Sequence, residues 1–228
     1  MNQFTERHYQ ALLRYLKEGV RNGTLHDGSK LPPERELAEH LSFSVPSVRE
    51  AMHLLTILGL LTRDSDGTFR LRNDLSRSIA DIFTLVLLMD RHEYADVLRL
   101  RRSIELQSIP AVCAGITERE KQTLYLCLMK MIAAPYGDSK ADAEFHDVFV
   151  SASRDKLASI LNRTLVQLMD PKGYAPSSAY YYGDRDEFIQ VHKKLYQAIA
   201  ANKPEAAADA VNTHYDLLLQ MISHTGRR

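Results

Sequence analysis

The run Lys30-Leu31-Pro32-Pro33-Glu34-Arg35-Glu36-Leu37-Ala38 constrains this chain more than any other feature, together with Ser44-Val45-Pro46-Ser47-Val48-Arg49-Glu50-Ala51 and Gly59-Leu60-Leu61 after it. It spells two short helices joined by a tight turn. Leu31 and Pro32 are extended, because a residue before proline avoids the α region. Pro33 suits the first turn of a helix running to about Leu41. A second helix starts between Ser44 and Ser47. Either serine can cap it, and Ser47-x-x-Glu50 fits a capping box. Val48, Met52, Leu55 and Leu58 form its inward stripe, which leaves Ser47, Arg49, Glu50 and His53 off the core. Each helix carries one arginine near its start, Arg35 and Arg49. A helix-turn-helix offers guanidinium groups to a DNA groove in this way.

The flanking sequence completes the unit. Residues 6–22 read as a helix with Tyr9, Leu12, Leu13, Leu16 and Val20 at helical spacing, ended by Asn22-Gly23. His26-Asp27-Gly28-Ser29 is a turn. After Gly59 the pattern becomes strand, turn, strand: Leu60 to Arg63, Asp64 to Gly67, Thr68 to Arg72. Asp66-Gly67 is a strong hairpin signal, and Arg63, Arg70 and Arg72 cluster around it. A helix-turn-helix followed by a basic hairpin is a winged helix.

The polar stretch Asn73-Asp74-Leu75-Ser76 marks a boundary. The expected organisation is a winged helix-turn-helix domain over 1–73, a linker over 74–76, and an all-helical bundle over 77–228. The fold class is therefore mostly α. Helices read over 77–89, 92–114, 117–133, 139–152, 155–169, 184–201 and 204–224. Pro135-Tyr136-Gly137 and Pro171-Lys172-Gly173 punctuate them. Ser177 to Tyr182 reads as loop or helix.

Net charge is zero over 228 residues, and residues 1–73 hold 10 lysines and arginines against 9 carboxylates. Contact with nucleic acid must therefore come from the placement of charge. The start of the chain has no signal-peptide apolar region. Ile82 to Met89 is far shorter than the roughly 20 apolar residues that cross a bilayer, so no membrane partner is expected. Cys113 and Cys127 have no paired spacing and read as free thiols of a reducing compartment, the cytoplasm.

The helical half carries a second pattern. Asp142 and His146 stand at i, i+4 on one helix face. His192 lies among Phe188, Val191, Leu195 and Ile199, and His214 follows Ala207 and Ala210 and precedes Leu218 and Met221, so both point inward. Each histidine alone also reads as a hydrogen-bonded core residue. Together, three imidazoles and a carboxylate suit a divalent transition metal, zinc first, with nickel, manganese or iron as alternatives.

Residues 8–72 resemble the winged-helix domain of GntR-family transcriptional regulators. The resemblance rests on Leu-Pro-Pro-Glu-Arg-Glu-Leu-Ala, Ser…Val-Arg-Glu-Ala, Leu-Gly-Leu-Leu and the Gly-Thr-Phe wing. It implies operator contacts by Arg35, Arg49 and Gly67, with Thr68 beside it; Ser47, off the core of the same helix, joins them. The family usually has arginine directly after the serine that opens the recognition helix. Here Val45 and Pro46 follow it, so a bidentate contact worth ~1–3 kcal/mol of base discrimination is missing. Residues 77–224 resemble the FCD domain, through the Asp-x-x-x-His helix, one histidine on each of two later helices, and Arg101-Arg102-Ser103-Ile104-Glu105. The resemblance implies a metal on Asp142, His146, His192 and His214 that receives the carboxylate of a small organic acid effector, with Arg101 neutralising it. A salt bridge to Glu105 is the other reading of Arg101.

The expected function is a metabolite-responsive DNA-binding regulator, a homodimer on double-stranded operator DNA, and a repressor as in most proteins it resembles. A metalloenzyme is the first rival. It lacks support from a His-Glu-x-x-His motif or a nucleophile constellation, so no enzymatic activity is expected. A regulator for which the ion itself is the signal is the second rival, and a purely structural metal is the third.

Overall fold

The computed structural model describes residues 3–72, 76–90, 94–133, 140–168 and 185–225. They fall into two units, Met1–Ser78 and Ile79–Arg228. The boundary expected at 73–76 falls on residues outside those described, except Ser76.

The first unit contains α1 (Gln3–Arg21), α2 (Glu34–Leu41), α3 (Val45–Ile57), β1 (Leu61–Arg63) and β2 (Phe69–Leu71). Leu12, Leu16, Leu37, Val48, Met52, Leu55 and Leu61 bury their side chains in one core, each worth about 1.5–3 kcal/mol of transfer. Val20, expected on the inward stripe of α1, is instead 53% exposed. Its neighbour Gly19 takes the inward place: a Cβ there would stand 2.5 Å from Leu25 Cδ1. The helix backbone therefore closes directly on Leu25, and the next side chain faces solvent.

Ser44 caps α3, with extended backbone and its Oγ accepting the Ser47 N–H at 3.3 Å. The expected alternative, a capping box from Ser47 to Glu50, is not what forms. Pro46 explains the choice. Its fixed φ and missing N–H fit the first turn of a helix, so the helix begins before it. Ser47 is already helical, and its hydroxyl rests 2.8 Å from that of Ser44.

β1 and β2 pair antiparallel, Leu61 with Leu71 and Arg63 with Phe69. A turn closes them through Gly67 N–H to Asp64 O at 3.0 Å, with Gly67 at φ 85°, a left-handed geometry that favours glycine. The segment 28–31 adds to the outer edge of β2: Leu31 donates to Phe69 O at 2.8 Å, and Leu71 to Ser29 O at 2.9 Å. The expected hairpin is present, with a third edge that the sequence did not announce.

α4 (Ser76–Asp90) begins just before the unit boundary, and the regular elements described after it are all helices: α5 (Tyr94–Gly115), α6 (Glu118–Ala133), α7 (Lys140–Ser151), α8 (Lys156–Leu168), α9 (Arg185–Ala200) and α10 (Pro204–Thr225). Each lies within two residues of its expected range. Both proline-glycine punctuations and Ser177 to Tyr182 fall outside the described residues. Helix α5 packs against α7, α8, α9 and α10, so its inward face is the wall shared by the bundle. α9 and α10 form a tight helical hairpin turned by Asn202 at φ 52°. Asp155 caps α8, its Oδ1 accepting the Ala158 N–H at 2.9 Å. Cys113 and Cys127 are buried free thiols, and no helix among the described residues is long and apolar enough to cross a membrane.

The cap assignment predicts that Ser44→Ala lowers the unfolding free energy of the first unit by about 1 kcal/mol, and that Glu50→Ala costs clearly less. Urea titration of both variants checks this; equal losses would restore the capping box.

Candidate functional site

In the first unit, α2, α3 and the hairpin wall a groove of about 1210 Å³. Its lining includes Arg35, Arg49, Gly67 and Thr68, four of the five residues expected to meet DNA. Ser47 is absent from that lining, engaged instead at the start of α3. Lys30 and Arg63 join the wall, with the carboxylates of Glu34, Glu50 and Asp66 between the cations. The groove thus carries four cations against three carboxylates, close to the balance of the whole unit. Arg49 Nε donates to Glu34 Oε2 at 2.8 Å, the exposed ion pair that its sequence neighbours permitted. Such a pair is screened by salt and exchanges readily for a phosphate. Of the hairpin arginines, Arg70 is held by Asp64 at 2.7 Å and by Gly28 O. Arg63 lies over the Phe69 ring, 5.4 Å from its centroid.

In the second unit, the four ligand-type residues converge. Asp142 and His146 lie one turn apart on α7, His192 comes from α9 and His214 from α10, and their ligand atoms all lie within 4.8 Å of one another. Apolar neighbours set each orientation. Phe145 and Phe149 seat α7, Ile189 and Leu195 seat α9, and Val211 and Leu218 seat α10, so each imidazole is carried into the interior. The three rings are buried, with centroids 4.6–5.3 Å apart. The Asp142 side chain, 17% exposed, is the most open of the four.

Three distances inside the cluster, among Asp142, His146 and His192, match a small cation. His146 Nε2 and His192 Nε2 are 3.2 Å apart. Asp142 Oδ1 stands 3.0 Å from His192 Nε2 and 3.6 Å from His146 Nε2. Ligands at zinc distances of about 2.0–2.1 Å in a tetrahedron are about 3.3 Å from each other. His192 Nδ1 donates to Phe188 O at 2.8 Å, and a carbonyl can only accept. His192 Nδ1 therefore carries a proton, and Nε2 is the nitrogen that faces the cluster.

His214 supplies the sharpest test of fit. Both of its ring nitrogens are buried with no hydrogen-bond partner among the described residues. An unpaired buried polar group costs about 1–3 kcal/mol, and a metal would satisfy one of these nitrogens. Burial first, then the charges of His146 and His192, hold His214 well below the usual histidine range. The ring is neutral, as a ligand must be. Burial opposes the charge on Asp142, yet the neighbouring His146 and His192 hold its carboxyl well below the usual range. The donor set, the spacing and the orphaned nitrogens all fit a divalent transition metal.

Arg101, expected to meet an effector, is 1% exposed with its Nε 3.2 Å from Glu105 Oε1. The alternative reading of a salt bridge is thus present. Sequence reasoning named Glu105 only as that partner. It also lies 2.9 Å from His146 Nδ1 and 2.7 Å from the Tyr215 hydroxyl. Its inward position on α5, one turn from Arg101, was the available signal.

Comparison with known proteins places these features. Residues 8–71 match the family described as bacterial regulatory proteins, gntR family, and residues 96–217 match the FCD domain. The chain belongs to the GntR family. It is a transcriptional regulator of the GntR/FCD type and not an enzyme. A protein of Escherichia coli K12 named for the regulation of an L-lactate dehydrogenase operon is 31% identical over 83% of this chain and 76% of its own length. The regulator LutR of Bacillus subtilis is 24% identical over 86% of this chain and 92% of its own length. A solved GntR structure from Streptococcus agalactiae aligns with TM-score 0.63 at 24% identity, covering 97% of this chain and 99% of that one; it shares the fold.

Replacing His214 separates metal binding from packing. With a chelator present, His214→Leu is expected to melt no lower than the parent, since it removes two unpaired nitrogens. Added zinc at a hundredfold excess over its Kd stabilises the parent by about 2.7 kcal/mol and leaves the variant unmoved in a thermal melt. An equal zinc response in both proteins would remove His214 from the site.

Proposed function

We propose that this GntR regulator, made of a DNA-reading domain over 1–73, a linker over 74–76 and an effector domain over 77–228, reports a small carboxylate metabolite through a bound metal. Asp142, His146, His192 and His214 hold a divalent ion, zinc first, with nickel, manganese or iron as alternatives. The organic acid binds the ion at an open coordination position, and Arg101 neutralises its carboxylate. Arg35, Ser47, Arg49, Gly67 and Thr68 contact operator DNA. The protein acts in the cytoplasm as a homodimer, two winged helices meeting a pseudo-palindrome, and as a repressor that the effector releases.

The observation that carries the sensing half is the meeting of four donor groups in an apolar interior with His214 unpaired. The DNA half is supported by Arg35, Arg49, Gly67 and Thr68 lining one groove. The name of the E. coli relative directs the first effector trial to L-lactate. A second reading, in which the metal itself is the signal, is favoured by one feature: Glu105 already stands beside the Arg101 guanidinium.

DNA selected by the protein from random duplexes, used in mobility-shift titrations, tests both halves. Arg49→Ala is expected to weaken binding about tenfold or more with unchanged folding; undiminished affinity contradicts the DNA assignment. L-lactate added to the zinc-loaded protein is expected to weaken DNA binding by about 5–150-fold, and Asp142→Asn abolishes that response while retaining DNA binding. A change of the same size from zinc alone selects the second reading, and tighter binding with L-lactate overturns the repressor assignment.

A further inference from the structure

We infer that Glu105 is the positioning residue of the candidate metal centre: its carboxylate fixes which nitrogen of His146 faces the cation, and so sets metal affinity from outside the ligand set. The inference rests on the proposed reading of the four donors as a metal site.

Three groups from three helices converge on this one side chain. Tyr215 on α10 donates its hydroxyl to Glu105 at 2.7 Å. Arg101 on α5 lies beside it at 3.2 Å. His146 Nδ1 on α7 lies 2.9 Å away. Glu105 is itself fully buried, as are His146 and Tyr215. An ionised carboxylate offers about four lone-pair sites and no donor; the Tyr215 hydroxyl donates to it, and the Arg101 guanidinium stands beside it as an ion-pair partner. The remaining partner must therefore donate too, which places the His146 proton on Nδ1. Nε2 is then the nitrogen left to face the cation, 3.2 Å from His192 Nε2.

Two of the three imidazoles are thus aimed by different acceptors. His192 donates to the neutral carbonyl of Phe188, and His146 donates to an anion. An imidazole hydrogen-bonded to a carboxylate is the more basic ligand, and loss of such an outer partner typically costs 10–100-fold in metal affinity. A neutral amide at 105 has the same shape but only one acceptor atom for the two donors, His146 and Tyr215. It would push the His146 proton toward Nε2, where the cation belongs, and leave the Arg101 charge without its counter-ion beside a divalent metal.

The test is zinc affinity, measured by competition against a chromophoric chelator, in the full chain. Glu105→Gln is expected to bind zinc 10–100-fold more weakly than the parent while keeping its circular dichroism spectrum. Tyr215→Phe removes a donor to the same carboxylate without touching the His146 contact, and is expected to stay within about threefold of the parent as a packing control. Long-range proton–nitrogen spectra of the zinc-loaded parent need no variant and are expected to show His146 protonated at Nδ1. Affinity of Glu105→Gln within twofold of the parent, an equal loss in Tyr215→Phe, or zinc on His146 Nδ1 overturns the assignment. Failure of the parent to take up zinc, nickel or manganese is a different result. It refutes the metal reading itself, and this inference with it.

Discussion

Imidazole nitrogens turned toward one another in an apolar interior are the constraint around which the second unit is arranged. His146 and His192 turn Nε2 toward each other at 3.2 Å with Asp142 alongside, and His214 has no hydrogen-bond partner among the described residues. A core that only needed to be stable would fill this space with leucine or phenylalanine, since a half-satisfied polar network is worse than an apolar one. The arrangement makes physical sense when a cation occupies the centre. Burial then works for the site: low polarity strengthens each bond to the ion, and the Phe145 and Phe188 rings packed against the imidazoles leave water little room to compete.

The first unit solves the opposite problem. A DNA reader must keep its cations exposed and yet not collapse onto its own carboxylates. Arg49 paired with Glu34, and Arg70 with Asp64, show that the neutral charge balance is carried by exchangeable surface pairs. A phosphate displaces such a carboxylate at little cost, because each exposed pair contributes little to begin with. The two carboxylates differ in what they hold. Glu34 lines the groove with Arg49, whereas the Asp64–Arg70 pair braces the hairpin and segment 28–31. Total charge therefore says little about this protein, and placement decides.

Much of this was legible in the sequence, for reasons that are local. Apolar spacing gave all seven C-terminal helices to within two residues, and the i, i+4 relation of Asp142 and His146 is a property of a single turn. The inward direction of His192 and His214 followed from the apolar residues one turn away on each side. Their convergence was available only through resemblance to the FCD domain, because no local rule brings α7, α9 and α10 to a point. Where local rules competed, the outcome turned on neighbours. Pro46 settled the cap in favour of Ser44, and the close approach of Leu25 to Gly19 turned Val20 outward. Glu105 stayed hidden because its partners His146 and Tyr215 are 41 and 110 residues away.

The placement of donors has a consequence for signalling. Donor groups drawn from α7, α9 and α10, with an outer carboxylate from α5, would tie four helices to one occupant on the proposed reading. A ligand shifts a conformational equilibrium only by its difference in affinity between two states. A site confined to one helix would gain little from moving another. On the proposed reading, an ion held by three helices would feel any relative shift of them as a change in bond length, where tolerances are about 0.2 Å. The same geometry that makes the cluster a good metal cage makes it a sensitive gauge of how these helices are packed. Sensitivity of that kind suits the proposed regulatory reading, whereas a purely structural ion would need only one rigid arrangement.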